Sequence, residues 1–158
     1  MEIFQGEQII RTEKETQISP RLIEVHLFQL SKLQCICKEG FQIDPILEFL
    51  EKITVSQCSS LIKLVPSFVA FCYMTYLEVT NCNELKKLIT HPTAKSLVKL
   101  TTMKIKMCNW LEDVVNSKED ETNEIAFWSL KYLELISLQR LCRFCLADAP
   151  LCFPFWKL

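Results

Sequence analysis

The segment Leu77-Glu78-Val79-Thr80-Asn81-Cys82-Asn83-Glu84-Leu85-Lys86-Lys87-Leu88 places apolar residues, Cys included, at its first, third, sixth, ninth and twelfth positions. Counted from Met74, three residues upstream, those slots fall at offsets 3, 5, 8, 11 and 14. The same offsets recur along the chain. From Leu22 they select Val25, Leu27, Leu30, Leu33 and Ile36, and from Leu50 they select Ile53, Val55, Cys58, Leu61 and Leu64. From Leu100 they select Met103, Ile105, Cys108, Leu111 and Val114, and from Leu130 they select Leu133, Leu135, Leu138, Leu141 and Phe144. All 30 slots are apolar in a chain whose hydrophobic content is 49%, whereas random placement would fill about half of them.

The spacing has a structural meaning. Offsets 3 and 5 are two residues apart, so their side chains share one face of a short strand. Offset 8 turns the chain away, and offsets 11 and 14 stand one helical step apart, as residues that seal the core from the far side. Starts at 22, 50, 74, 100 and 130 give periods of 28, 24, 26 and 30 residues, the range of the leucine-rich repeat. The expected fold is therefore an α/β solenoid of about five repeats. Short parallel strands would line its concave face, with loops and short helical turns on the convex face. Residues 20–158 belong to this array, and Phe155 and Leu158 would open a truncated sixth repeat at 155. Residues 1–19 are expected to be the tail of a preceding repeat, marked by Ile3 and Phe4, plus a polar insertion.

Composition narrows the function classes. The 158 residues carry a net charge of -1, which leaves no basic footprint for nucleic acid or an anionic membrane. Gly6 and Gly40 are the only glycines, too few for a Gly-rich phosphate loop. No basic region followed by an apolar run opens the chain and no long uncharged apolar stretch occurs, so neither export nor a membrane span is expected. Nine cysteines, an odd number, several of them on core slots, read as reduced thiols of a cytoplasmic protein.

The segment from Leu77 to Ile89 resembles one branch of the plant coiled-coil nucleotide-binding leucine-rich-repeat disease-resistance proteins. So do the linker Thr93-Ala94-Lys95-Ser96-Leu97-Val98-Lys99-Leu100 and the acidic run before Ile125-Ala126-Phe127, with Leu130-Lys131-Tyr132-Leu133-Glu134-Leu135 after it. The resemblance covers most of residues 20–158. It implies an intracellular immune receptor with a coiled coil and a nucleotide-binding ATPase domain upstream. In such receptors the repeat region recognises a pathogen effector or a guarded host protein and holds the receptor inactive. This chain has no G-x-x-x-x-G-K-[ST] element, so ATP binding is not carried over. The alternative is a truncated, non-functional or purely structural repeat fragment.

No nucleophile, base and orienting group can be assembled from the sequence, so no enzymatic activity, cofactor or metal is expected. Cys142-Arg143-Phe144-Cys145 is a C-x-x-C, but its nearest counterpart, Cys35-Ile36-Cys37, lies four repeats away, and zinc needs four ligands. Glu112, Asp113 and Asp120 read as solvated charges. Trp110, Trp128 and Trp156 read as core aromatics near the repeat edges. The candidate site is instead the outward face of the strands at offsets 2, 4 and 6. Its partner-binding candidates are His26, Phe28, Thr54, Tyr76, Glu78, Lys104, Lys106, Tyr132 and Glu134. Glu78 and Lys104 occupy the same offset on adjacent strands and are expected to form a cross-strand ion pair.

Overall fold

A computed structural model describes residues 23–37, 47, 49–66, 69–116 and 127–144. In chain order the elements are β1 (Glu24–Phe28), β2 (Lys52–Ser56), β3 (Tyr76–Thr80), β4 (Lys87–Thr90), α1 (His91–Ser96), β5 (Thr102–Lys106), β6 (Asp113–Asn116) and β7 (Tyr132–Ile136). Strands β1, β2, β3, β5 and β7 form one parallel sheet in that order. The chain is thus a parallel-strand solenoid of about four turns with little helix.

Register follows the repeat without slippage. Val25, Ile53, Leu77, Met103 and Leu133 are partners across the sheet, and so are Leu27, Val55, Val79, Ile105 and Leu135. These are offsets 3 and 5, and in β2, β3 and β5 both face inward and are buried. Offsets 8, 11 and 14 close the same core: Cys58, Leu61, Leu64, Cys82, Leu85, Leu88, Cys108, Leu111 and Val114 are all buried. A slip of one residue would turn every one of these strand side chains outward, so burial holds the register. At the two ends of the sheet Val25 and Leu133 are only partly buried, and Leu135 is the most open of these slots. It lies on the sheet's last strand, where no described strand covers it, and is 38% exposed.

The core also uses a slot outside that pattern. Leu47, Phe71, Leu97 and Phe127 stand three residues before the repeat starts and are all buried. Each accepts, through its carbonyl, the N–H of the repeat's first residue: Leu50 at 3.2 Å, Met74 at 3.3 Å, Leu100 at 3.3 Å and Leu130 at 3.0 Å. The chain therefore enters β2, β3, β5 and β7 through the same tight turn.

It leaves each strand of the five-stranded sheet through a left-handed residue. Gln29, Gln57, Asn81, Met107 and Ser137 all have φ between 52 and 57°. They are offset 7 of the five units, and none is glycine. An ordinary residue in this region costs about 1–2 kcal/mol per position. The conformation returns a hydrogen bond between repeats. Gln29 N–H reaches Ser56 O at 3.0 Å, Gln57 reaches Thr80 O at 3.0 Å, Asn81 reaches Lys106 O at 2.9 Å and Met107 reaches Ile136 O at 2.9 Å. The cysteine that follows tucks under the bend. The Cys58, Cys82 and Cys108 thiols donate to the carbonyls of Ser56, Thr80 and Lys106 at 3.6, 3.5 and 3.4 Å.

On the convex side the expected helical turns give way largely to strand. Only α1 is helical among the described residues. Beyond offset 11 the chain extends, and β4 and β6 pair as a second, two-stranded parallel sheet. Leu88-Ile89 and Val114-Val115 supply adjacent apolar, mostly β-branched residues there, which favour strand over helix. Asp113 belongs to β6 and is buried, contrary to the solvated role expected for it. Its carboxylate accepts from Arg143 Nε at 2.9 Å and Nη2 at 3.2 Å, a bidentate pair that links two repeats. Glu112 is half-buried. The proposed tail and insertion at 1–19, the sixth repeat at 155, Asp120, Cys145 and Trp156 lie outside the described residues.

The left-handed exit predicts a residue-type preference at position 107. Met107→Val, which sets a β-branched side chain at positive φ, is expected to destabilise the chain by about 1–3 kcal/mol in urea unfolding. Met107→Asn is expected to leave stability unchanged or raise it. Equal stability of the two variants would contradict the exit geometry.

Candidate functional site

The outward side chains of the five-stranded sheet form three transverse rows. The first runs Glu24, Lys52, Tyr76, Thr102 and Tyr132. The second runs His26, Thr54, Glu78, Lys104 and Glu134, and the third runs Phe28, Ser56, Thr80, Lys106 and Ile136. All nine partner-binding candidates therefore share one face, placed there by the two-residue period of the strands.

Polar contacts within the face are specific. His26 Nε2 stands 3.0 Å from Glu24 Oε2, and Lys52 Nζ stands 3.6 Å from the same oxygen. These two partners, His26 first, hold the Glu24 carboxyl below its usual range. Lys106 Nζ pairs with Glu134 Oε2 across β5 and β7 at 2.9 Å. The expected Glu78–Lys104 pair does not form, although the two are register partners. Glu78 instead accepts a hydrogen bond from the Tyr76 hydroxyl at 2.5 Å. Lys104 lies between two rings, its Nζ 5.5 Å from the centroid of Tyr76 and 5.4 Å from that of Tyr132. Lys52 approaches Tyr76 from the other side at 5.4 Å. Cation–π attraction thus competes with the ion pair, and the Tyr76 hydroxyl takes up the carboxylate that Lys104 would have met.

The outer flanks carry aromatic groups that the repeat pattern did not single out. Trp110 and Trp128 are surface residues, 43% and 67% exposed, and not core aromatics. Their positions, at offset 10 and two residues before a repeat start, lie outside the inward slots, which are already filled by smaller residues. Arg140, at offset 10 of the next unit, stacks on Trp110 with its guanidinium carbon 3.8 Å from the ring centroid. At the opposite edge the Phe49 and Tyr73 rings are 5.4 Å apart, and Lys99 caps Tyr73 at 4.1 Å. A count of offsets -1 and 10 would have found both ladders.

The cysteines take structural places. Cys35, Cys37, Cys58, Cys72, Cys82, Cys108 and Cys142 are free thiols. The Cys108 thiol and burial together hold Cys82 well above the usual thiol range, so it stays protonated. Among the described residues no group of three or more His, Cys, Asp or Glu side chains is gathered as a metal ion would require.

Five strands in one register, a cysteine under each of the three middle bends and an outward face of mixed aromatic and charged groups are the features to be matched. The chain matches the family described as plant disease resistance protein RPS2-like, leucine-rich repeats, over residues 1–73 and 68–155. It belongs to that family. The two matched segments meet just ahead of Met74, between the repeats that contribute β2 and β3. No curated protein and no solved structure matches the chain. It is thus a leucine-rich-repeat region of the plant resistance-protein kind, and that membership suggests a role in immunity and protein recognition. No helix among the described residues is long and apolar enough to cross a membrane.

Burial and the hydrogen bond to Glu78 push the Tyr76 phenol up to about 12 from its ordinary value of 10.0. The neutral phenol is the favoured form in the folded chain. The contact therefore contributes fully below pH about 10 and is lost as pH rises towards about 12. Tyrosinate absorbance is expected to show one component titrating near pH 12 that disappears in Tyr76→Phe. Loss of no late component on that substitution would contradict the contact.

Proposed function

We propose that this chain is the protein-recognition and autoinhibitory module of an intracellular plant immune receptor. Its concave face would bind a pathogen effector or a guarded host protein, and in the full receptor the same array would rest against an upstream nucleotide-binding domain. On this reading residues 20–158 form five repeats starting near 22, 50, 74, 100 and 130, with a sixth entered at 155. Residues 1–19 are the tail of a preceding repeat plus a polar insertion, and the protein works in the cytoplasm without a cofactor or catalytic step.

The observation that carries the reading is the centre of the concave sheet. Tyr76, Lys104 and Tyr132 are held together by cation–π contacts on a rigid parallel ladder. Tyrosines with two rotatable torsions, fixed in place before binding, lose little entropy when a partner covers them. Tyr132 is 50% exposed and Phe28 is 59% exposed, so large apolar area is available at both ends of the face.

A protein recovered with the chain from challenged plant tissue, then tested as a purified pair, is expected to lose affinity by about tenfold or more when Tyr76, Lys104 and Tyr132 are changed together to Ala. Unchanged affinity in a variant that keeps its urea midpoint would place recognition elsewhere.

A further inference from the structure

Cys35 and Cys37 are set apart from the other cysteines by position. Counted from Leu22 they stand at offsets 13 and 15, on either side of the inward slot filled by Ile36. In the next four units offset 13 carries Lys63, Lys87, Asp113 and Arg143. It is the charged column of the convex ladder, where Asp113 is the register partner of Lys87 and pairs with Arg143 at 2.9 Å. The first unit is built into that ladder in the same way. Gln34 O accepts from the Ile62 and Lys63 N–H groups at 3.0 and 3.4 Å, as Lys86 O does from Glu112 and Asp113, and Ile36 N–H reaches Leu64 O at 3.1 Å. Cys35 thus stands to Lys63, one repeat on, as Asp113 stands to Arg143. The place is that of an anion.

The chain bends at Ile36 and Cys37, and the bend brings the two thiols together. The hydrogen bond from Cys37 is the largest of the effects that hold the Cys35 thiol below its usual range, against the opposing effect of burial. The backbone groups of Cys37 and Ile36 and the charge of Lys63 add to it. A thiolate so placed is a nucleophile, and a second thiol stands within reach of it. Cys58, Cys82 and Cys108 differ, because they sit fully buried beneath the strand exits. Cys35 and Cys37 are 5% and 3% exposed, and opening of a bend, which breaks no strand, uncovers them.

We infer that Cys35 and Cys37 form a reversible redox site on the convex side, a dithiol that exchanges with a low-molecular-weight disulfide of the glutathione class. The Cys35 thiolate attacks one sulfur of that disulfide. A bond from Cys35 to glutathione forms, the reagent's S–S bond breaks, and one glutathione leaves as thiolate. That thiolate takes up the proton of Cys37, whose sulfur attacks the Cys35 sulfur and expels the second glutathione. The chain ends with a Cys35–Cys37 disulfide, two hydrogens poorer, and the reagent is reduced to two thiols. Oxidation removes the negative charge beside Lys63 and closes the bend with a covalent ring.

The test uses the full chain, reduced and then incubated with oxidised glutathione at neutral pH without denaturant, and weighs its tryptic fragments by mass spectrometry. Lys32 and Lys38 bracket residues 33–38, so one fragment carries both thiols and no other cysteine. That fragment is expected to lose two hydrogens about tenfold or more faster than Cys58, Cys82 and Cys108 take up glutathione, and dithiothreitol should restore it. Cys37→Ser is expected to halt the exchange at its first bond, with one glutathione kept on Cys35. A fragment that stays reduced, that carries two glutathiones in place of the internal bond, or that reacts no faster than the three buried thiols would overturn the assignment. So would a Cys37→Ser chain that keeps its urea midpoint and takes up no glutathione at Cys35.

Discussion

Each strand of the concave sheet is five residues long and finds its backbone hydrogen-bond partners only in the neighbouring repeats. An isolated strand of that length has no stability of its own. The inter-repeat ladder is therefore the constraint on which everything else depends. It starts one residue before the strands, where the Glu51, Thr75, Thr101 and Lys131 amides donate to the carbonyls of Ile23, Glu51, Thr75 and Thr101 at 2.8–2.9 Å. It runs on past them through the left-handed residues. Adding a repeat continues the ladder and buries another inward pair, so stability is a sum over neighbours and not a property of one repeat.

The ladder also fixes what the surface can do. Because register is held on the inner face, the outer face is a grid whose rows are set by chain offset alone. Side-chain identity can vary across that grid at little cost to folding. The chain uses this freedom unevenly. Glu24 holds His26 and Lys52 at the β1–β2 end and Glu134 holds Lys106 across β5 and β7, whereas Lys104 and Arg140 lie against aromatic rings.

Much of this was legible in the sequence, for a physical reason. Inward slots at offsets 3, 5, 8, 11 and 14 must be apolar in every unit, and a constraint repeated that often leaves a visible pattern; it placed the five strands and all nine concave candidates on their face. What the sequence concealed were features with no residue-type demand. The left-handed exit is occupied by Gln, Asn, Met and Ser, because the tertiary ladder overrides local preference, so no glycine marks it. The convex strands β4 and β6 were read as helical turns because two apolar slots three apart, Leu85 and Leu88, fit either period. Asp113 passed for a solvated carboxylate because its partner, Arg143, lies a full repeat away. Trp110 and Trp128 passed for core residues because size alone suggested burial, while the inward slots beside them were already filled.

Amide hydrogen exchange tests the ladder most directly. The Gln29, Gln57, Asn81 and Met107 N–H groups lie outside any strand, at exposed turn positions, yet each donates to the next repeat's strand-end carbonyl. The account predicts that these four amides exchange slowly, with protection comparable to that of the neighbouring strand amides. Exchange at the rate of an unstructured chain for Gln57, Asn81 and Met107, with the adjoining strands still protected, would contradict it.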